Sequence, residues 1–531
     1  MINPTQDKQR EQNELAAKNF AAQIGFEYFD TQPKLDITNL SDIVTLEGMR
    51  AYNVVPLVVK DKHLTFGVSE DTKRDTLPAL SKRLSESGYD SKFVFISKDG
   101  WTQLFNRYSI AESSDLLEKG DFSAISRKLD NIEPKFMLEP LAQLAYQLDS
   151  SDIHIEPGED TARVRFRIDG TLHPIIELTK ERYELLTSDL QIRANVKWGA
   201  DIPQGGRVSV KAINPDGEQI NLNMRLETVP SLHGQDVVIR IFNMSAKYLS
   251  FDNMQLYKEQ QQTIIKAISH PQGLVLTVGP TGSGKTSTLY AIMNYLNNDE
   301  IKIVTLEDPV EYELEGISQV PVRSDQQQLF MDELRAVMRE DPNVVMIGEI
   351  RDTDTAKTAL QASLTGHLVL STFHASSSAA AVTRLVDMIG QNPLLASSTR
   401  LIIAQRLVRL LCNVCKKPYE PSREELLAIK AAFHDMAEAD RPKTEGVKLY
   451  KAVGCEACHH FGYDGRIAII ELMEMSVKLQ ALIGQATAAT TTQAIQQAAV
   501  SEGMATLLQD GLRKVLEGKV TFEEVNTQVG G

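Results

Sequence analysis

The stretch that most limits what this chain can fold into runs from Leu274 to Leu296, "LVLTVGPTGSGKTSTLYAIMNYL". Five apolar or β-branched residues (274–278) form a short strand pattern. Gly279, Pro280, Thr281, Gly282, Ser283 and Gly284 form a turn-rich loop. From Lys285 onward Leu289, Ile292, Met293 and Leu296 recur at helical spacing. Strand, glycine-rich loop and helix in that order are the setting a G-x-x-x-x-G-K-[ST] phosphate loop requires. The glycines let backbone N–H groups turn toward one point without a Cβ in the way. The helix N-terminus adds a dipole that favours an anion. Lys285 is expected to reach the β- and γ-phosphates of ATP, and Thr286, followed by Ser287, to ligate Mg²⁺.

The surrounding pattern extends this reading. "GLVLTV", "IVTLE", "VVMIG" and "LVLST" are short apolar runs separated by helix-like sequence, which predicts a parallel, doubly wound sheet over 256–531. Two acidic candidates for hydrolysis sit at strand ends, Glu311 in "TLEDPVE" and Glu349 in "VVMIGE". The residues leave two assignments open: Glu349 at Mg²⁺ with Glu311 at the water, or the reverse. "TGHLVLSTFH" places His367 and His374 at the two ends of one strand. Their odd offset points them to opposite faces, so they do not ligate one metal together. One or both are candidates for sensing the γ-phosphate.

Upstream, residues 1–112 read as a small α/β unit in which "PLVVKDKHLTFGV" (56–68) predicts a hairpin. Residues 113–135 are charged and serine-containing and read as a linker. Residues 136–248 form a second unit. There "DIHIE" and "RVRFRIDG" alternate, placing Asp152, His154 and Glu156 on one strand face and Arg163, Arg165 and Arg167 on another. The two sets are placed so that they could pair as opposite charges across strands, and Asp152, His154 and Glu156 are expected to form a solvated strand face rather than to hold a metal.

Four cysteines in 531 residues are too few for a disulfide scaffold. All four fall in two C-x-x-C pairs, Cys412/Cys415 and Cys455/Cys458, with 39 residues between them. Paired knuckles of this kind fit structural Cys₄ zinc, in an element spanning about 406–470. Arg406, Arg409, Lys416 and Lys417 lie close in sequence and are expected to ease burial of a Zn(Cys)₄ centre. His459 and His460 read as surface residues. The net charge of −15 and the pI of about 5.3 weigh against a chain built to coat nucleic acid. No apolar run approaches the roughly 18–20 residues of a membrane span, and the polar N-terminus has no signal-peptide core. The expected setting is cytoplasmic.

Assembled, these blocks resemble the secretion ATPase family, the traffic ATPases of type II secretion and type IV pilus assembly. "SSDIHIEP", "RFRIDG", "IPQGGR" and "RLETVPS…GQDVVIR" look like its second N-terminal domain, a PAS-like unit. "GPTGSGKT" looks like its Walker A, "TLEDPVEY" its Asp box, "DPNVVMIGEIRD" its Walker B and "TGHLVLSTFHA" its His box. "AQRLVRLLCNVCKKPY" and "GCEACHHFGYDGR" look like its zinc insertion. The resemblance implies an α/β multidomain chain: a RecA-like P-loop ATPase domain with a zinc-binding insertion, preceded by two smaller α/β N-terminal domains. It implies a homohexamer, peripheral at the cytoplasmic face of the inner membrane. There it would act on a membrane platform protein in pilus assembly or type II secretion. It also implies that the second domain contributes arginines to the nucleotide site. Arg225 and Arg240 match those by position, and Arg207 matches less closely. In the family the Glu of "DPxE" activates water, which favours Glu311 as base and Glu349 on the Mg²⁺ side. The N-terminus lacks the Arg-Leu-Gly repeat that relatives use for a cyclic dinucleotide, and "HASSS" and "IPQGG" depart from the usual His-box and "PQDG" patterns. A nucleic-acid translocase and a pilus-retraction ATPase are the alternative readings. The zinc element and N-terminal extension oppose the latter, because retraction relatives typically lack both.

Overall fold

The computed structural model describes residues 4–31, 44–60, 62–102, 104–105, 108, 126–127, 129–130, 132–197, 201–214, 219–242, 250–322, 327–436, 438, 441–484 and 491–530. Most of the expected linker, 113–125, lies outside them. The chain divides into two compact units, Met1–Asn243 and Met244–Gly531.

The first unit carries two sheets. In the smaller, β1 (Val54–Lys60) and β2 (His63–Val68) form the expected hairpin, with Lys60 opposite His63, and β3 (Asp90–Phe95) adds in parallel to β2. Buried Val55 and Val94 on one face and Leu64 and Phe66 on the other give this sheet its own core. The larger sheet is antiparallel and comprises β4 (Asp152–Pro157), β5 (Thr161–Ile168), β6 (Thr171–Thr179), β7 (Gln204–Ile213), β8 (Gln219–Ser231) and β9 (Gly234–Ile241). Its strand order is β6-β5-β4-β9-β8-β7. Ile153, Ile155, Val164 and Phe166 are fully buried on one face, as period-two alternation demands. On the other face Asp152 lies opposite Arg167, His154 opposite Arg165 and Glu156 opposite Arg163, the pairing expected from the sequence. That face is not simply solvated: Asp152 is buried, its carboxylate flanked by arginines.

The second unit is built on a seven-stranded sheet: β10 (Gly273–Val278), β11 (Ile303–Glu307), β12 (Ser318–Pro321), β13 (Val344–Ile347), β14 (Leu368–Phe373), β15 (Thr399–Leu411) and β18 (Tyr463–Glu474). The order is β12-β11-β13-β14-β10-β15-β18, parallel throughout except for the final antiparallel pair, β15 with β18. Every residue of β10, β11, β13 and β14 is buried. Leu274, Leu276 and Val278 pack into one hydrophobic cluster and Val275 into another across the sheet. Helices therefore cover both faces, which is why these strands read as continuous apolar runs. A small hairpin of β16 (Lys417–Tyr419) and β17 (Leu449–Lys451) sits in the excursion between β15 and β18. Among the described residues, no helix is long and apolar enough to cross a membrane.

One buried ionic group ties the C-terminal helices to this sheet. Asp510, on the helix Leu507–Leu516, accepts from the Gln260 Nε2 at 2.7 Å, from the Ile470 N–H of β18 at 2.8 Å and from the Lys514 ammonium. Both charged side chains are only 1% exposed. Burial depresses the Lys514 pKa, the Asp510 carboxylate opposing it, and its ammonium also lies 4.9 Å from the Tyr257 ring centre. Removing one partner strands the other charge in the core. Asp510→Ala is therefore expected to destabilise the second unit by about 3–5 kcal/mol, read as a lowered midpoint of chemical denaturation.

Candidate functional site

The sheet register decides which residues meet. Val278 of β10 lies level with Phe373 of β14 and Ala404 of β15, and Ile347 of β13 lies level with Ser371 and Leu306. The next residues along β10, β14, β13 and β11 emerge together at the carboxyl edge: Gly279, His374, Gly348 with Glu349, and Glu307; Gln405, level with Gly279, is buried inside the longer β15. Open parallel sheets bind ligands at this edge.

Between β10 and the helix Lys285–Leu296 the loop takes left-handed backbone at Gly282 (φ 78°) and Gly284 (φ 87°), which a Cβ disfavours. Ser283 is buried beneath it, while Pro280, Thr281 and Gly282 are exposed and Thr286 and Ser287 half-buried. The Lys285 ammonium lies along the loop and donates to the carbonyls of Gly279 (3.0 Å) and Pro280 (2.9 Å). Burial holds it below the usual lysine range; Glu349 opposes that shift and Arg406 adds to it.

Glu349 follows β13 and is half-buried. Its Oε1 lies 2.9 Å from the His374 Nε2, and its Oε2 accepts from the Arg351 Nε at 2.7 Å. The Thr372 hydroxyl donates to the Gly348 carbonyl at 2.7 Å and fixes the turn on which Glu349 stands. Arg384 donates to the His374 carbonyl at 2.8 Å. Lys285, Glu349 and His374 thus form one electrostatic group. His367 is not brought to it. It precedes β14 at the amino edge, with Nδ1 3.1 Å from the Ala362 carbonyl, and seven strand residues at 3.3 Å each put it roughly 23 Å from His374. The expectation that His367 serves the phosphate is corrected on that ground: the strand separates the two histidines by its length as well as by its faces.

Glu311 lies on the loop after β11. Its N–H donates to the Tyr290 hydroxyl at 3.3 Å, and Tyr290 in turn donates to Glu307. Glu307 is 3% exposed and also accepts from Thr305 (2.6 Å) and the Gln319 Nε2 (3.1 Å). Tyr290 lies on the phosphate-loop helix, so this network joins that helix to the Glu311 loop. Sequence reading missed Glu307 and Tyr290, because a buried carboxylate with a tyrosine partner leaves no spacing signature.

In the first unit, adjacent strands place Arg207, Arg225, Arg240, Asp152 and Arg167 in one cross-strand row. Arg240 donates from Nε to Asp152 at 2.9 Å, and Arg225 from Nε to Glu227 at 2.6 Å. The row aligns four arginines: Arg240 and Arg167 flank the buried Asp152 carboxylate, and Arg225 is paired with Glu227.

The four cysteines come together. Cys412 and Cys415 follow β15, and Cys455 and Cys458 precede β18. Their sulfurs all lie within 4.8 Å of one another. Three of the distances are 3.9 Å (Cys412–Cys455), 3.8 Å (Cys415–Cys458) and 3.8 Å (Cys455–Cys458). A tetrahedron with Zn–S bonds of about 2.3 Å has edges of about 3.8 Å, so the donor set fits tetrahedral zinc. Backbone N–H groups of Gly454 (3.3 Å, to Cys415), Cys455 (3.3 Å, to Cys458) and Gly462 (3.2 Å, to Cys458) point at the sulfurs. These amides, rather than the nearby cations, face the sulfurs. Arg409 is held by Glu524 at 2.6 Å and Lys416 by the Gly518 carbonyl at 2.8 Å. Arg406 reaches the Ser376 carbonyl at 2.8 Å, on the nucleotide-loop side. His460 is exposed as expected, whereas His459 is half-buried, 6.4 Å centre to centre from the Phe461 ring.

The family model described as type II/IV secretion system protein matches residues 128–527. The type II secretion system ATPase E of Vibrio cholerae is 38% identical over 476 residues, covering 86% of this chain and 88% of its own. The type IV pilus assembly ATPase PilB of Pseudomonas aeruginosa is 34% identical over 526 residues, covering 95% and 89%. Among solved structures, the Legionella pneumophila ATPase DotB superposes with a TM-score of 0.55 at 22% identity, over 75% of this chain and 96% of that one.

The thiol cluster generates a direct test. Purified under reducing conditions, the chain is expected to carry one zinc ion per polypeptide by elemental analysis. Cys412→Ser and Cys455→Ser are each expected to lose it and to lower the unfolding midpoint, since zinc at such sites contributes on the order of 10 kcal/mol. Metal-free protein with unchanged stability would contradict this.

Proposed function

The chain belongs to the type II/IV secretion system protein family, and from that membership we propose that it is a Mg²⁺-dependent ATPase that drives pilus assembly or type II secretion. The observation that carries the proposal is the convergence of Lys285, Glu349 and His374 at the carboxyl edge, beneath a phosphate loop. Lys285 and the loop amides bind the β- and γ-phosphates. Thr286 and the Glu349 side hold Mg²⁺, whose chemistry is to neutralise charge on the phosphate oxygens. His374, in contact with Glu349, answers to the γ-phosphate through it. Glu311 takes the proton of the attacking water, and Tyr290 and Glu307 hold the loop that carries it.

Arg225 and Arg240 are proposed to stabilise charge on the transferring phosphoryl group; the support is the family resemblance and the concentration of guanidinium groups in their row. The working form is proposed to be a homohexamer at the cytoplasmic face of the inner membrane. Its load is proposed to be a platform protein that handles pilin-like subunits, as the family resemblance implies.

The two carboxylates separate the roles. Glu311→Gln is expected to bind ATP while losing about 10²–10⁴-fold in phosphate release, the usual contribution of a general base. Glu349→Gln is expected to lose Mg²⁺-dependence of nucleotide binding as well as turnover. If Glu311→Gln turns over normally and Glu349→Gln binds Mg·ATP without hydrolysing it, the two roles are reversed.

A further inference from the structure

The phosphate loop is held from below by a residue outside the motif. Gln405 lies on β15, level with Gly279, and is 1% exposed. Its Nε2 donates to the Ser283 carbonyl at 2.7 Å, and its Oε1 accepts from the Thr288 hydroxyl at 2.9 Å. Thr288 stands one turn into the helix, its own N–H bonded to the Gly284 carbonyl at 3.0 Å. One side-chain amide thus bridges the loop and the first turn of the helix.

Peptide geometry turns that contact into a constraint on the ligand. In a trans peptide the C=O and the next N–H point in opposite directions. With the Ser283 carbonyl fixed toward Gln405 in the core, the Gly284 N–H is directed away from the core, to the side where the motif cradles phosphate. Close approach of β15 also crowds two of the motif's glycines. A Cβ on Gly284 would sit 3.0 Å from the Gln405 Nε2, and one on Gly279 would sit 2.4 Å from the Ser283 Oγ and 2.7 Å from the backbone carbonyl oxygen of Gln405.

We propose that Gln405 is a positioning residue for nucleotide binding: it sets the direction of the loop amides that receive the phosphates, without touching the nucleotide itself. The proposal rests on the ATPase reading above. Losing its bonds to Ser283 and Thr288 weakens binding and leaves the hydrolytic groups Glu311 and Glu349 in place, so the effect falls on KM and Kd and spares kcat.

The test compares the full-length wild type, Gln405→Met, Gln405→Glu, Thr288→Val and Lys285→Ala. The readouts are affinity for a fluorescent ATP analogue with Mg²⁺ and steady-state phosphate release. Gln405→Met keeps the volume and loses both bonds. Gln405→Glu keeps an acceptor for Thr288 and sets a carboxylate against the Ser283 carbonyl. Each is expected to raise Kd and KM about tenfold, the effect of one or two net hydrogen bonds, with kcat at saturation within about twofold. Zinc content and unfolding midpoint establish that each variant is folded. If the Gln405 variants fail to fold, Thr288→Val, which removes only the Oε1 partner, is expected to raise Kd about threefold, and an unchanged Kd there overturns the proposal. Wild-type Kd and KM in folded Gln405→Met overturn it, as does a loss confined to kcat. A wild-type chain that binds the analogue no better than Lys285→Ala overturns the ATPase reading, and this proposal with it.

Discussion

Everything in the second unit depends on one constraint: a short glycine-rich loop must hold several backbone N–H groups pointing at one spot. Such groups are costly to leave unpaired and equally costly to let wander. The fold meets this by placing the loop at the end of a central strand bracketed on both sides. β14 and β15 flank β10 in parallel, so His374, which follows β14, and Gln405, midway along the longer β15, stand beside Gly279 as a consequence of register. The apolar burial of β10 and its neighbours gives the platform its rigidity, and the carboxyl edge gathers the polar groups that rigidity positions.

Register also explains what is left out. A parallel strand has a ligand end and a far end, so a motif that straddles a strand delivers only one of its termini. His374 reaches Glu349; His367 is committed to the Ala362 carbonyl at the opposite edge. The zinc cluster follows the same logic. β15 carries Gln405 under the phosphate loop and runs on to Leu411, immediately before Cys412, while β18 leaves Cys458 and returns antiparallel beside it. The thiol cluster is thus built onto the strand pair that supports the phosphate loop. Two covalent stretches of β-structure, rather than a flexible tether, separate the metal knuckle from the nucleotide grip.

Much of this was legible in the sequence because the relevant signals are local. The loop glycines, the four core strands as apolar runs, the Lys60–His63 hairpin and the Asp152–Arg167 pairing all follow from period and turn chemistry. What escaped depends on contacts between distant residues. Gln405 looks like one more polar residue in an apolar run, and only its position level with Gly279 gives it a purpose. Tyr290 reads as a helix residue until the structure puts its hydroxyl on Glu307. Arg406, Arg409 and Lys416 were legible as a basic cluster, but sequence proximity to the cysteines misassigned their partners: the odd offset along β15 turns Arg406 and Arg409 to opposite faces, and Lys416 reaches the Gly518 carbonyl.

The account stands on the claim that residues 279–287 grip ATP for hydrolysis. The most direct measurement is phosphate release by the purified full-length chain with Mg·ATP, wild type against Lys285→Ala. Saturable, Mg²⁺-dependent release by the wild type, abolished in Lys285→Ala while that variant keeps its zinc and its unfolding midpoint, is the predicted result. Equal turnover in the two proteins would contradict it.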